Sequence, residues 1–268
     1  MTALQRLAAG CLAVILTVAL FAGPLAGRSY EKQFREHPNE PPSWTFPLGT
    51  DELGRDRLAR LLYGTRVSLL LAPAAAALAT LLAAILGVSA GYFGGWWERA
   101  AMTVADLFVA LPWIFALITV RAVLPLNISP WTSVTVTFLL LGALGWASSA
   151  RVIRAGARAA KSAPFVLQAR AFGSSPLRLL SCQILPNLRP AIAAQFWISI
   201  PLFLLAEANL GMLGLGVTEP LPSWGNLLAE LTNPRLVVEQ PWLLAPAGLL
   251  ATVLASFHLI LSTEDLTR

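Results

Sequence analysis

The chain has 268 residues, 56% of them hydrophobic and 12% charged, with a formal net charge of +5. An ordinary soluble domain is roughly a quarter charged, so although the length would suit one or two soluble domains, the composition points to a chain that folds largely in lipid.

A helix needs about 20 apolar residues to cross the roughly 30 Å hydrocarbon core. In chain order six stretches meet this requirement: residues 7–25, 67–90, 101–120, 131–150, 191–210 and 242–261. The first also has the features of a secretory signal peptide: basic Arg6, an apolar run, and small residues near 22–27. Its apolar run exceeds the usual signal core, and it is expected to be a retained span. In the second, Pro73 is tolerable because neighbouring helices can satisfy the freed carbonyl. Gly87, Gly91 and Gly95 recur at four-residue spacing in and just beyond it, which gives either a close-packing face or simply a helix end. Asp106 and Glu207 are the acids within the spans, each in the third and fifth respectively.

Between the first two spans, residues 47–66 read PLGTDELGRDRLARLLYGTR, with four arginines and three acids led by Pro and Gly. Pro and Gly set turns there, Asp51 is expected to cap a short helix, and Arg55, Asp56 and Arg60 to pair with one another. Residues 151–189 carry seven cations (Arg151, Arg154, Arg158, Lys161, Arg170, Arg178, Arg189) and no acid. Such a cluster marks a cytoplasmic loop. Counting spans from it puts residues 27–66 outside and both termini in the cytoplasm, although 27–66 holds seven cations of its own beside six acids. Within 162–187 the spacing predicts a short helix over 163–172, a turn at Gly173 and a second helix ending before Pro186.

Other chemistries find no support. Lys32 and Lys161 lack the Gly-rich context of a phosphate-binding loop, and His37 and His258 have no metal-ligand spacing. His258 lies in the last span, where an ionisable residue is a functional candidate by default; it is expected instead to be a neutral, hydrogen-bonded helix-packing residue. No catalytic triad can be assembled, so neither enzyme activity nor a cofactor is expected. The basic loop lacks the interleaved aromatics of a nucleic-acid surface. Cys11 and Cys182 lie too far apart in the expected topology to pair.

Three segments carry a family resemblance. The 162–187 segment resembles the cytoplasmic coupling loop of binding-protein-dependent ABC transporter permeases, Glu-Ala-Ala, then Gly, then Ile-Leu-Pro. Here the pattern falls on Leu167, Gln168, Ala169, then Gly173, then Ile184, Leu185 and Pro186, with Phe172 beside the turn. Residues 47–69 resemble the PLGTDxLGRDxxSRLLYGxRxSL signature of the dipeptide/oligopeptide/nickel branch, with Ala59 in place of the Ser. LLAEANLGMLGLGVTEPLPSWGNLLAE (204–230) and DLFVALPWIFALI (106–118) are similar to further motifs of that branch.

The resemblance implies an all-α, multi-pass permease of the type I ABC importer fold in a bacterial inner membrane. Residues 1–66 would be an N-terminal span with an outer segment, and 67–268 a five-helix core with coupling loop 151–189. The implied partners are a second permease, two cytoplasmic ATPases and an external solute-binding protein in a lipid bilayer, with no nucleic acid. Asp51, Arg55, Asp56, Glu207 and Trp224 would lie on the outer side near the pathway, with Trp224 at the membrane interface. The family's Glu is Leu167 here, which removes one polar contact to the ATPase. A dipeptide or oligopeptide is the first expectation for the solute, with a nickel chelate or antibiotic peptide as alternatives. The rival reading is a multi-pass receptor or structural protein that docks a cytoplasmic partner through the basic loop.

Overall fold

The computed structural model describes residues 2–111, 115, 116, 118–120 and 129–262. Its regular secondary structure is helical, with an irregular segment over residues 27–56, and the described residues form no sheet, only isolated bridges Gln33–Arg55 and Thr50–Asp56. The helices are α1 (Ala3–Leu20), α2 (Ala22–Ala26), α3 (Arg57–Phe93), α4 (Gly95–Ala110), α5 (Pro130–Leu144) and α6 (Trp146–Lys161). They continue as α7 (Pro164–Ala171), α8 (Pro176–Leu179), α9 (Leu185–Met212), α10 (Trp224–Ala229), α11 (Pro234–Glu239) and α12 (Ala245–Leu261). Among the described residues, five helical runs are long and apolar enough to cross a membrane: Ala3–Leu20, Arg57–Phe93, Pro130–Lys161, Pro176–Met212 and Pro241–Leu261. They coincide with five of the six expected spans. The remaining one, 101–120, begins in α4 and lies partly outside the described residues, as does the 106–118 motif.

Two compact units are formed: Met1–Ala72 with Leu124–Thr137 and Pro201–Arg268, and Pro73–Val123 with Phe138–Ile200. In the first unit, α1 starts with a capping box in which Thr2 Oγ1 accepts from Gln5 N and Gln5 Oε1 accepts from Thr2 N. This helix packs along α12. His258 is exposed on α12 rather than packed between helices, which corrects the expectation for it.

The second unit is built on small residues. Ala76, Ala79, Ala83, Gly87 and Ala90 line a buried stripe of α3 at three- and four-residue spacing. A Cβ on Gly87 would come 2.6 Å from the Ala150 carbonyl oxygen, and one on Gly91 2.6 Å from that of Arg154. These glycines therefore let α3 touch the backbone of α6, whereas Gly95 meets nothing and is the first residue of α4. The arginines of α6 flank this contact: Arg151 pairs with Asp106, and Arg154 and Arg158 reach Glu98 Oε1 at 2.8 and 3.5 Å. The basic segment read as a loop from residue 151 is thus helical as far as Lys161.

A second correction concerns Pro186. The chain does not stop there; a π turn over Leu180–Ile184, with Leu185 N donating to Leu180 O, leads directly into α9. A proline interrupts the i→i−4 ladder, and the wider turn immediately before it keeps the helix continuous.

Candidate functional site

Two polar clusters lie in the first unit, and the exposed 162–185 segment lies in the second. The first cluster is built on the 47–66 segment. Gly54, at φ +71°, turns the chain so tightly that a Cβ would sit 2.1 Å from Phe34 O. That turn presents Asp51, whose Oδ1 accepts from the Leu53 and Arg55 amides at 3.0 and 2.8 Å. Asp51 Oδ2 accepts from Arg55 Nε at 2.6 Å. The helix cap is Asp56 instead, with Oδ1 accepting from Leu58 N at 2.9 Å and Ala59 N at 3.3 Å at the start of α3. Asp51 therefore does not cap, and Asp56 does not pair with Arg55 or Arg60 as the sequence suggested; its ionic neighbour is Arg28 at 3.8 Å.

The arginines converge on Glu219, a residue the sequence reading did not single out. Arg60 Nη2 and Nη1 donate to its two carboxylate oxygens at 2.7 and 3.1 Å, and Arg55 Nη1 donates to Oε2 at 2.7 Å. Arg60 is fully buried although charged, which its bidentate partner makes tolerable. Burial alone would push the Glu219 pKa up, but Arg60 and then Arg55 override it and hold the carboxyl below its ordinary value. Burial likewise works against the Arg55 charge, and Asp51 and Glu219 raise its pKa despite that. Nearby, Arg57 pairs with Glu230, also unforeseen.

The sign of the Glu219 shift sets a pH dependence. A carboxyl depressed in the folded state stabilises fully above its unfolded pKa of about 4.3, and the contribution disappears as pH falls through the native value. Glu219→Gln should therefore melt below the wild type across neutral pH. The gap should close in acid as the wild-type carboxyl protonates. Melting curves of purified protein from neutral to strongly acidic pH check this; a gap unchanged by acid would remove Glu219 from the network.

The second cluster surrounds Glu207 on α9. Its side chain is completely buried, accepting from Ser68 Oγ at 3.2 Å and from Gly225 N at 3.2 and 3.3 Å. Ser68 Oγ in turn accepts from Trp224 N at 3.1 Å, and Trp224 Nε1 donates to Thr65 Oγ1 at 3.0 Å. Trp224 is wholly buried, not an interface residue as expected, because two α3 hydroxyls satisfy both of its donors. Ser223 caps α10, its hydroxyl accepting from Asn226 N. The backbones of α9 and α10 nearly touch: a Cβ on Gly225 would lie 2.6 Å from Glu207 O. The polar α3 residues Thr65 and Ser68 carried no signal in the sequence beyond membership of a matched signature.

In the second unit, α7 ends in a Schellman turn. Gly173 N donates to Arg170 O, Ser174 N donates to Ala169 O, and Gly173 has φ +80°. Val166, Leu179 and Ile184 anchor the segment as buried residues. Leu167, Phe172 and Leu177 project as exposed apolar side chains, and Gln168 and Leu185 are exposed beside them, with Ala169 and Pro186 half-buried. Phe172, at 82% relative exposure, is the most conspicuous.

Residues 83–264 match the family described as "Binding-protein-dependent transport system inner membrane component". The chain is 32% identical over 249 residues to the oligopeptide transport system permease protein OppC of Bacillus subtilis, covering 92% of this chain and 79% of that protein. It is 31% identical over 260 residues to the dipeptide transport system permease protein DppC of the same organism, covering 96% and 79%. With the di/tripeptide transport system permease protein DppC of Pseudomonas aeruginosa the identity is 33% over 235 residues, covering 85% and 75%. An all-α polytopic chain with five described apolar spans and this extent of similarity belongs to the binding-protein-dependent transport system inner membrane components, as a permease subunit of an ABC importer.

Proposed function

We propose that this permease carries dipeptides or oligopeptides, as one of two membrane subunits driven by two cytoplasmic ATPases and supplied by an external binding protein. The observation that carries the reading is the similarity, over more than nine-tenths of the chain, to relatives named for oligopeptide and dipeptide transport. The segment 162–185 is the coupling element. Its exposed Leu167, Phe172 and Leu177 offer an apolar surface to a groove on the ATPase, where Leu167 replaces a polar contact with an apolar one. Asp51, Arg55, Asp56, Glu207 and Trp224 hold the outer end of the pathway in shape through the two polar clusters, rather than contacting solute themselves. Purification of the tagged chain from its native membrane tests the assembly. ATPase and a second permease should accompany it; their absence, with a different cytoplasmic protein retained, would favour a receptor.

Both termini are cytoplasmic in this reading, and residues 27–66 lie outside. Thr65 is only 2% exposed and cannot report on this, but Trp44 is fully exposed. In a Cys11→Ser background, Trp44→Cys should react with a membrane-impermeant maleimide on intact spheroplasts, and exposed Cys182 only after permeabilisation. The opposite order of labelling would reverse the orientation.

A further inference from the structure

The second unit holds an apolar groove of ≈ 720 Å³ between α3 and the α8–α9 run. Beside the buried small-residue stripe of α3, a neighbouring face lines this groove with Ala77, Leu81 and Ala84 at four- and three-residue spacing. Ala77 and Ala84 are two turns apart and too short to fill the space between the helices. The facing wall begins with Leu180 in the π turn and continues along α9 with Ile192 and Phe196. A π turn is a rare device that recurs at functional sites, and here it forms part of a cavity wall.

Among the residues lining the groove, Arg189 alone carries a charge. It is exposed, just before the 191–210 span, and from it the groove runs about two helical turns, roughly 10 Å, along α9 to Phe196. Arg151, Arg154 and Arg158 of the same basic segment are taken up by Asp106 and Glu98, but Arg189 has no acidic partner among the described residues. An apolar groove with an unmatched guanidinium at its mouth calls for an amphiphile, hydrocarbon for the walls and negative charge for the arginine. A guanidinium forks onto phosphate oxygens, and a basic site between spans at the membrane surface suits an anionic lipid headgroup. Other occupants fit less well. A free phosphate leaves the walls bare, a peptide would leave its backbone groups unpaired against hydrocarbon, and a helix of another subunit would have to bring an acid to the edge of a span.

We propose that this groove is a binding site for an anionic phospholipid, with one acyl chain lying between α3 and α9 and the phosphate on Arg189. Its volume lies within the range of about 300–1,000 Å³ usual for small-ligand sites. In the orientation proposed above, the lipid belongs to the cytoplasmic leaflet. It fills the space where the 162–185 segment passes through the π turn into α9, and so braces that joint against α3.

The test uses the transporter assembled with its partner subunits in phosphatidylcholine nanodiscs that contain a small share of lipid with a diazirine in its acyl chain. Phosphatidylglycerol bearing that chain should leave adducts on peptides from 77–88 and 185–196 at about fivefold the yield of phosphatidylcholine bearing it, the factor one interfacial cation gives. Arg189→Gln should abolish the preference, and Arg189→Lys should restore most of it. Ala84→Trp, which fills the groove, should remove the adducts of both lipids while the partner subunits stay bound. Equal yields from the two lipids in the wild type, or a preference that survives Arg189→Gln, overturn the site. A preference lost on adding inorganic phosphate at constant ionic strength overturns the lipid in favour of a free anion. An unlabelled groove in which Ala77→Cys cross-links to the second permease overturns it in favour of a protein occupant.

Discussion

Glu207→Ala should strongly reduce both the yield of folded subunit and transport, while Glu239→Ala, on an exposed residue of α11, should leave both at the wild-type level. Glu207 is the acceptor for Ser68 Oγ–H and Gly225 N–H in a site with no exposure. Removing it orphans both donors, each at about 1–3 kcal/mol, and leaves a cavity whose walls cannot relax because α9 and α10 are in backbone contact. Native stability is only about 5–15 kcal/mol, so a loss of this size moves much of the population out of the folded state. Gly225→Ala and Gly211→Ala should have the same outcome by a different route. The added Cβ would lie 2.6 Å from Glu207 O in the first and 2.1 Å from Gly225 C in the second, distances that only a backbone shift can relieve. Thermal melting and size-exclusion profiles of the purified chain check all three. If Glu207→Ala melts with the wild type, the carboxylate is not what holds the α9–α10 corner.

Gly173→Val should insert and fold normally yet lose the response of the ATPase to loaded binding protein. Gly173 has open space around it, so the substitution causes no collision; what it disturbs is a φ of +80°, which costs a β-branched residue of the order of 1–3 kcal/mol. The Schellman turn would open, and α7 would no longer be presented at its angle to α8. Gly173→Asn is the informative comparison, because Asn tolerates the left-handed region and should retain most of the coupling. Ala169→Trp acts on the same element by bulk and should hold α7 away from its groove, and Phe172→Ser should weaken retention of the ATPase by removing the largest exposed apolar side chain of the segment. Arg178→Ala serves as the control: its side chain is exposed, and one of seven cations can be lost without changing orientation. Normal ATPase retention and stimulation in both Gly173→Val and Ala169→Trp would show that the segment is not the contact.

The spans were legible because length and apolarity are local properties, and lipid leaves helices as the only open-chain solution. The turn at Gly173 was legible for the same reason, since a Gly between two Pro-started helices encodes its own geometry. What escaped depended on partners far along the chain. Arg60 and Glu219 are 159 residues apart, so the segment 47–66 showed four arginines and three acids that seemed to answer one another. Asp51 and Asp56 both precede a possible helix start; the Gly54 turn engages Asp51 with the Leu53 and Arg55 amides and leaves the cap to Asp56. Trp224 has the composition of an interface anchor, and only the arrival of Thr65 and Ser68 from α3 makes it a core residue. Pro186 is a helix stop by propensity, overridden by a π turn that no sequence period announces.

In the proposed function this chain couples delivery of peptide to ATP hydrolysis across the membrane. It is tested most directly in vesicles reconstituted with the chain, its partner permease and both ATPases, by following ATP hydrolysis when peptide-loaded binding protein is added to the side bearing residues 27–66. The wild type should show stimulated hydrolysis with peptide accumulation, and Gly173→Val should show neither response. Hydrolysis that ignores the loaded binding protein in the wild type, with no peptide crossing the bilayer, would contradict it.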